Sequence, residues 1–298
     1  MFGGNLSSGG AGMALAVLAA FGFSFKAIFV KLAYPYGVDA ITLLTLRMVF
    51  ALPVFLWVGL TASRGMPALN SRDWFGLVAM GLAGYYAASV FDFLGLQYIS
   101  AGLERLILFT YPTLTLLFGM AMTRRLASRR EVLALMLCYA GIGAAFWHDL
   151  EFAEEQANIW LGGSLVFASA LCYAIYLSGS APLIARLGTA RFAALATLAS
   201  TAAVLGHFLA TLPVATLIQP WPVYGYALAM GLLCTALPVF AQSAAIRRLG
   251  SARVALVSML GPLATIGFAV WLLGEPLSIA QAIGAALVIG GIAVISRR

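Results

Sequence analysis

The chain has 298 residues, 63% of them hydrophobic and 9% charged, with a mean hydropathy of +1.00. A soluble domain carries roughly 25% charged residues, so this composition excludes a water-solvated globule and requires lipid around most of the chain. The formal net charge of +7 comes from 17 Lys/Arg against 10 Asp/Glu, and its placement along the chain argues for membrane orientation over a nucleic-acid partner.

The amino-terminal stretch MFGGNLSSGGAGMALAV has no basic residue before its apolar run and no clear cleavage site, so the first apolar segment is expected to remain as a helix. About 20 apolar residues cross a hydrocarbon core of about 30 Å. Apolar runs bounded by polar, Pro or Gly breaks predict ten such spans: 12–33, 39–60, 74–95, 101–122, 131–148, 159–179, 190–210, 222–244, 252–273 and 279–296. The connections are short and hide no soluble domain. Cys138, Cys172 and Cys234 each fall inside an apolar run, and their odd number and spacing suit neither a disulfide framework nor a metal site.

Basic residues gather in alternate connections: Arg64 and Arg72, then Arg124, Arg125, Arg129 and Arg130, then Arg186 and Arg191, then Arg247, Arg248 and Arg253, and finally Arg297 and Arg298. The opposite connections carry Asp39, Asp149, Glu151, Glu154, Glu155 and Glu275. Lys/Arg bias sets orientation, so both termini are expected in the cytoplasm, and the run TRRLASRR reads as a topology anchor.

AMGL occurs at 79–82 and again at 229–232. At that offset Pro112 aligns with Pro262, Thr115 with Thr265, Phe118 with Phe268, Ser128 with Ser278 and Gly141 with Gly291. The charges do not align; they swap. Arg124 and Arg125 stand opposite Gly274 and Glu275, while Gln97 and Tyr98 stand opposite Arg247 and Arg248. Five spans per copy make the second copy enter the membrane from the other side, and the basic loops must exchange places accordingly. The expected fold is therefore an all-α integral membrane protein of ten helices in two inverted-topology repeats, 1–150 and 151–298, the architecture of many secondary transporters.

The segments FGFSFKAIFVK, LRMVFALPVFL, LQYISAGLERLILFTYPTLTLLFG and LGSARVALVSMLGPLATIGFAVWLLGEPLS resemble the drug/metabolite transporter superfamily, specifically its EamA-like branch and its aromatic or neutral amino-acid exporters. The resemblance covers nearly the whole chain and implies export of small organic solutes from the cytoplasm. It leaves the substrate open among amino acids, drugs, sugars and other metabolites. Two departures stand out: Phe21 replaces a frequent Trp, and the fourth span ends in TRRLAS where the ninth ends in a Gly-Glu-Pro turn. In this family the fifth and tenth spans lie at the periphery and can join two protomers, so a homodimer through them is expected. Their small-residue patches, YAGIGAAF and GAALVIGGIAV, suit close helix packing.

Charges inside spans need a partner or a function. Lys26, Arg47, Asp92, Glu104 and Arg105 are such charges, read either as structural ion pairs or as a relay in which Asp92 or Glu104 carries a proton or engages a substrate amine. Helical spacing puts Tyr85, Ser89 and Asp92 on one face, with Thr235 and Gln242 at equivalent places in the second copy. Tyr111 and Thr115 follow Glu104 on another face, matched by Ser258 and Thr265, and Ser169, Tyr173 and Tyr176 share a third. Such faces point inward, toward a neighbouring helix or a water-filled path. Lys26 and these polar residues are the candidate lining of a substrate cavity, and Pro112 and Pro262 are candidate helix breaks that free backbone carbonyls at membrane depth.

Two rivals carry less. Ser164 within GGSL and His207 in the next span loosely resemble an intramembrane hydrolase pair, without the further motif such enzymes need, and a channel remains a second alternative. No phosphate-binding Gly-x-x-x-x-Gly-Lys-Ser/Thr loop occurs, so ATP is not expected as the direct energy source, and neither cofactor nor metal is called for.

Overall fold

The computed structural model describes residues 5–124, 126, 128–151, 156–249, 254, 257, 260–276 and 278–296. Among the described residues every regular element is a helix. The loop charges Arg125, Glu154, Glu155, Arg253, Arg297 and Arg298, and the candidate Ser258, lie outside the described residues.

Helix α1 spans Asn5–Ala33 and α2 spans Ala40–Ser63, the latter capped by Asp39, whose carboxylate accepts from the Thr42 amide at 2.9 Å. Helix α3 (Ser71–Gly81) runs through a π turn at Leu82–Ala87 into α4 (Ala88–Gly95). The predicted fourth span is two helices, α5 (Ala101–Leu108) and α6 (Tyr111–Thr123). Pro112 explains the break: without an N–H it cannot donate to the Leu108 carbonyl, and Pro is at ease in the first turn of the helix that follows. Then come α7 (Arg129–Glu151), α8 (Gln156–Leu187) and α9 (Thr189–Thr211). Helix α10 (Trp221–Gly231) passes through a second π turn, Leu232–Ala236, into α11 (Leu237–Leu249). The chain ends in α12 (Leu260–Phe268), a third π turn (Ala269–Leu273) and α13 (Ile279–Ser296).

Seven helices are long and apolar enough to cross a bilayer, and Leu260–Leu273 and Ile279–Gly291 are shorter apolar helices. Helix α8 departs most from expectation. It continues through Pro182 for 32 residues, about 48 Å at 1.5 Å per residue, so one end projects beyond the hydrocarbon core. There Arg186 pairs with Asp73, and Arg191 donates to the Pro67 carbonyl at 3.0 Å.

The two halves repeat one another in backbone detail. Asn70 caps α3 and Pro220 occupies the equivalent position before α10. The two AMGL copies lead directly into the π turns at 82–87 and 232–236. Ser128 Oγ accepts from the Glu131 amide at the start of α7, and Ser278 Oγ accepts from the Gln281 amide at the start of α13. Arg124 adopts a left-handed conformation (φ 51°), as its counterpart Gly274 does (φ 67°). The sequence departure at the end of the fourth span is thus one of chemistry and not of backbone path.

Packing interleaves the halves. Helix α1 lies against α11 and α12, α2 against α9 and α10, α4 against α8, and α7 against α13. The last pair is the most intimate: a Cβ added to Gly141 would lie 2.6 Å from the Gly284 carbonyl oxygen, and one added to Gly284 would lie 2.6 Å from that of Gly141. The small-residue patches that suit close helix packing are used within one chain, where only glycine allows backbones so close. The outward faces of the same helices expose Leu133, Met136 and Ile283.

Candidate functional site

Three intramembrane charges of the first half converge. Lys26 projects from the last third of α1, and its ammonium lies 2.6 Å from Asp92 Oδ2 on α4 and 3.5 Å from Glu104 Oε1 on α5. Lys26 is 16% exposed, Asp92 2% and Glu104 0%. One cation thus serves two buried carboxylates. Asp92 Oδ1 and both Glu104 oxygens lack a hydrogen bond.

The arginines behave differently. Arg47 donates from Nε to Thr235 Oγ1 at 3.1 Å and lies 5.5 Å from the centre of the Phe93 ring, while its Nη1 is buried without a partner. Thr235 sits in the second π turn and passes its own proton to the Met230 carbonyl at 2.8 Å, so the bulged backbone aims this hydroxyl at the arginine. Arg105 adjoins Glu104 in sequence, but neighbours on a helix do not face each other. Its guanidinium turns instead to Phe109, one turn further along, 5.3 Å from the ring centre. Arg105 Nε has no partner. Among the described residues neither arginine has an acid within ion-pair distance. Lys26, Asp92 and Glu104 thus form one ion-paired cluster, and Arg47 and Arg105 stand outside it.

An aromatic chain begins at Phe109. Its ring centre lies 5.7 Å from that of Tyr111, Tyr111 lies 5.0 Å from Tyr173, Tyr173 stacks 5.6 Å from Tyr176, and Tyr176 meets Tyr85 at 5.1 Å. The Tyr85 and Tyr176 hydroxyls share a hydrogen bond of 2.9 Å. Tyr85 belongs to the first π turn. Gly84 beside it makes room for Tyr176, whose Cγ would lie 2.3 Å from an added Cβ.

Of the other predicted residues, Thr265 on α12 is fully buried and donates to the Ser24 carbonyl at 3.2 Å. Thr115 donates to the Tyr111 carbonyl within its own helix. Ser89 and Gln242 are half-buried and join neither the charge cluster nor the aromatic chain. Pro262 is buried in the first turn of the described part of α12. Ser169 donates to the Ala88 carbonyl at 2.7 Å.

Sequence reasoning missed Ser24, Phe93 and Phe109. Ser24 Oγ donates to the Gly261 carbonyl at 3.1 Å and locks α1 to α12. A polar residue two positions before Lys26 on an apolar helix was the available clue. Glu275, read as a loop charge, instead accepts from the Ala101 and Gly102 amides at 2.9 and 3.4 Å and caps α5 of the other half. Asp149 similarly accepts from Ser100 and Gln281. The hydrolase pair does not form: Ser164 is exposed on α8, and His207 Nδ1 is bonded to the Tyr86 hydroxyl at 3.0 Å.

Comparison with known proteins agrees with this architecture. The uncharacterized transporter YcbK of Bacillus subtilis strain 168 is 29% identical over 269 residues, which cover 88% of this chain and 85% of that one. The uncharacterized transporter YetK of the same organism is 24% identical, over 84% of this chain and 76% of its own. A protein of known crystal structure superposes with a TM-score of 0.65 over 96% of both chains at 19% identity, a likeness of fold alone. Residues 10–147 and 160–297 each match the model of the EamA-like transporter family. With two copies of that unit, the chain is a multi-pass membrane protein and belongs to the EamA-like transporter family.

Proposed function

We propose that this transporter exports small zwitterionic solutes, foremost neutral and aromatic amino acids, by alternating access between two inverted repeats of a ten-span bundle. The observation that carries this reading is the continuous run from Arg105 through Phe109 into the tyrosines Tyr111, Tyr173, Tyr176 and Tyr85. Aromatic rings supply a large apolar contact with polar edges, matched to a solute with an apolar body and a charged head. Glu104, whose oxygens lack hydrogen bonds, offers an acceptor for the solute ammonium. The site lies where the halves meet, the place that alternating access requires. A single surplus cation argues against polyphosphates and nucleotides.

The basic loops put both termini in the cytoplasm of a cell with this protein in its cytoplasmic membrane. A homodimer, if formed through α7 and α13, uses their outward apolar faces, because the glycines are already engaged. Other metabolites or drugs are the alternative cargo. The test is counterflow of labelled amino acids in proteoliposomes: saturable exchange of phenylalanine or another neutral amino acid is expected, and no flux of any amino acid in a complete panel overturns this choice.

A further inference from the structure

Arg105 is 6% exposed and has neither an ion pair nor a hydrogen bond among the described residues. An intramembrane guanidinium is costly to hold without an anion, and such residues mark substrate paths when no protein partner answers them. The local balance points the same way. Lys26, Arg47 and Arg105 are the three cations among the intramembrane charges of the first repeat. Only Asp92 and Glu104 oppose them, and both lean on Lys26. One positive charge is left over.

The surroundings of Arg105 are shaped for a ligand of mixed character. Gly261 of the second repeat faces it, and a Cβ there would lie 3.2 Å from Arg105 Nη2. Glycine at this point keeps the fork uncrowded, whereas the first-repeat equivalent is the bulky Tyr111. Phe109 supports the guanidinium from one face and begins the aromatic chain to Tyr111 and Tyr173. A planar fork of N–H donors matches a carboxylate bidentately.

We propose that Arg105 is the receptor for the carboxylate of the transported solute, with the apolar body of that solute laid along Phe109, Tyr111 and Tyr173. The inference rests on the reading of the chain as a solute exporter and adds a requirement: the solute must carry a monoanionic head. One surplus charge suits a carboxylate and not a doubly charged phosphate ester.

The test uses the full chain purified in detergent at neutral pH, with binding read by thermal stabilisation and titration. The probes are 3-phenylpropionate, L-phenylalanine, their two amides, 2-phenylethylamine and phenyl phosphate. Both acids are expected to bind about ten- to a hundredfold more tightly than the amides, the amine or the phosphate ester, as loss of a charge-assisted bond dictates. Arg105→Gln is expected to reduce the acids to the affinity of the amides, with Arg105→Lys between. Equal binding of acids and amides by the unaltered protein, absence of binding by either acid, or tighter binding of phenyl phosphate overturns the proposal. So does an acid preference that survives in Arg105→Gln. If that variant does not fold, the comparison of acids with amides on the unaltered protein still decides. Arg105-dependent binding of 3-phenylpropionate without flux of any amino acid would uphold the carboxylate receptor while the amino-acid reading fails. Equal flux of phenylalanine and its amide would do the reverse.

Discussion

Removing Lys26 should be among the most damaging single changes outside the helix contacts. Its ammonium is the shared partner of Asp92 and Glu104, at 2.6 and 3.5 Å, and those carboxylates are 2% and 0% exposed. Three of their four oxygens have no hydrogen bond to fall back on. Lys26→Met keeps the length and apolar stem of the side chain and deletes only the charge. Breaking a buried pair by removing one partner costs about 3–5 kcal/mol, and that range applies here because neither acid reaches solvent. The companion change Asp92→Asn removes one of the two acids that Lys26 serves. The two variants together should cost less than the sum of each alone, by about 0.5–3 kcal/mol. The assay is reversible unfolding in mixed micelles of rising denaturing-detergent fraction, followed by circular dichroism. A Lys26→Met variant within about 0.5 kcal/mol of the parent, the range of an ordinary surface change, refutes the reasoning, as does strict additivity in the double variant.

Further expectations concern function, capping and packing. Glu104→Gln should lower phenylalanine counterflow in proteoliposomes by about tenfold, because an amide binds an ammonium without charge assistance; unchanged flux removes Glu104 from solute binding. Glu275→Ala deletes the acceptor of the Ala101 and Gly102 amides and should cost about 1 kcal/mol, as helix caps do, measurable in the same unfolding assay. Gly284→Val places new atoms against the Gly141 carbonyl and should cost about 1–3 kcal/mol through overpacking; a neutral result shows that α7 and α13 are looser than described. Arg124→Gly relieves a left-handed non-glycine backbone and should stabilise the chain by about 0.5–1 kcal/mol, seen as a shifted unfolding midpoint.

Much of the architecture was legible from patterns that are local or periodic. Apolar run length marks a membrane helix because lipid leaves backbone polar groups no partner outside the helix. The AMGL copies and the Ser128/Ser278 pair marked equivalent positions, and the backbone repeats there down to π turns and caps. Pro112 signalled the interruption of the fourth span, although not that it would separate two helices. The candidate charges were visible because each stands out in an apolar run.

Partner choice was not legible, since it depends on helix rotation and on approach between segments far apart in sequence. Lys26 lies 66 residues from Asp92 and 188 residues separate Arg47 from Thr235; spacing places each on a helix and leaves open which neighbour it meets. Glu104 and Arg105 are adjacent letters, yet the rotation of about 100° per residue sends one to Lys26 and the other to Phe109. The small-residue patches of α7 and α13 announced close packing without saying against what, and the fold satisfied them within one chain. The sequence by itself therefore determined a lipid-solvated, duplicated helical bundle, because chain length, polarity and period act residue by residue. Only the tertiary structure decided which buried charges neutralise one another and which arginine is left facing an aromatic wall, because that balance is set by distances of a few ångströms in a medium that screens charge poorly.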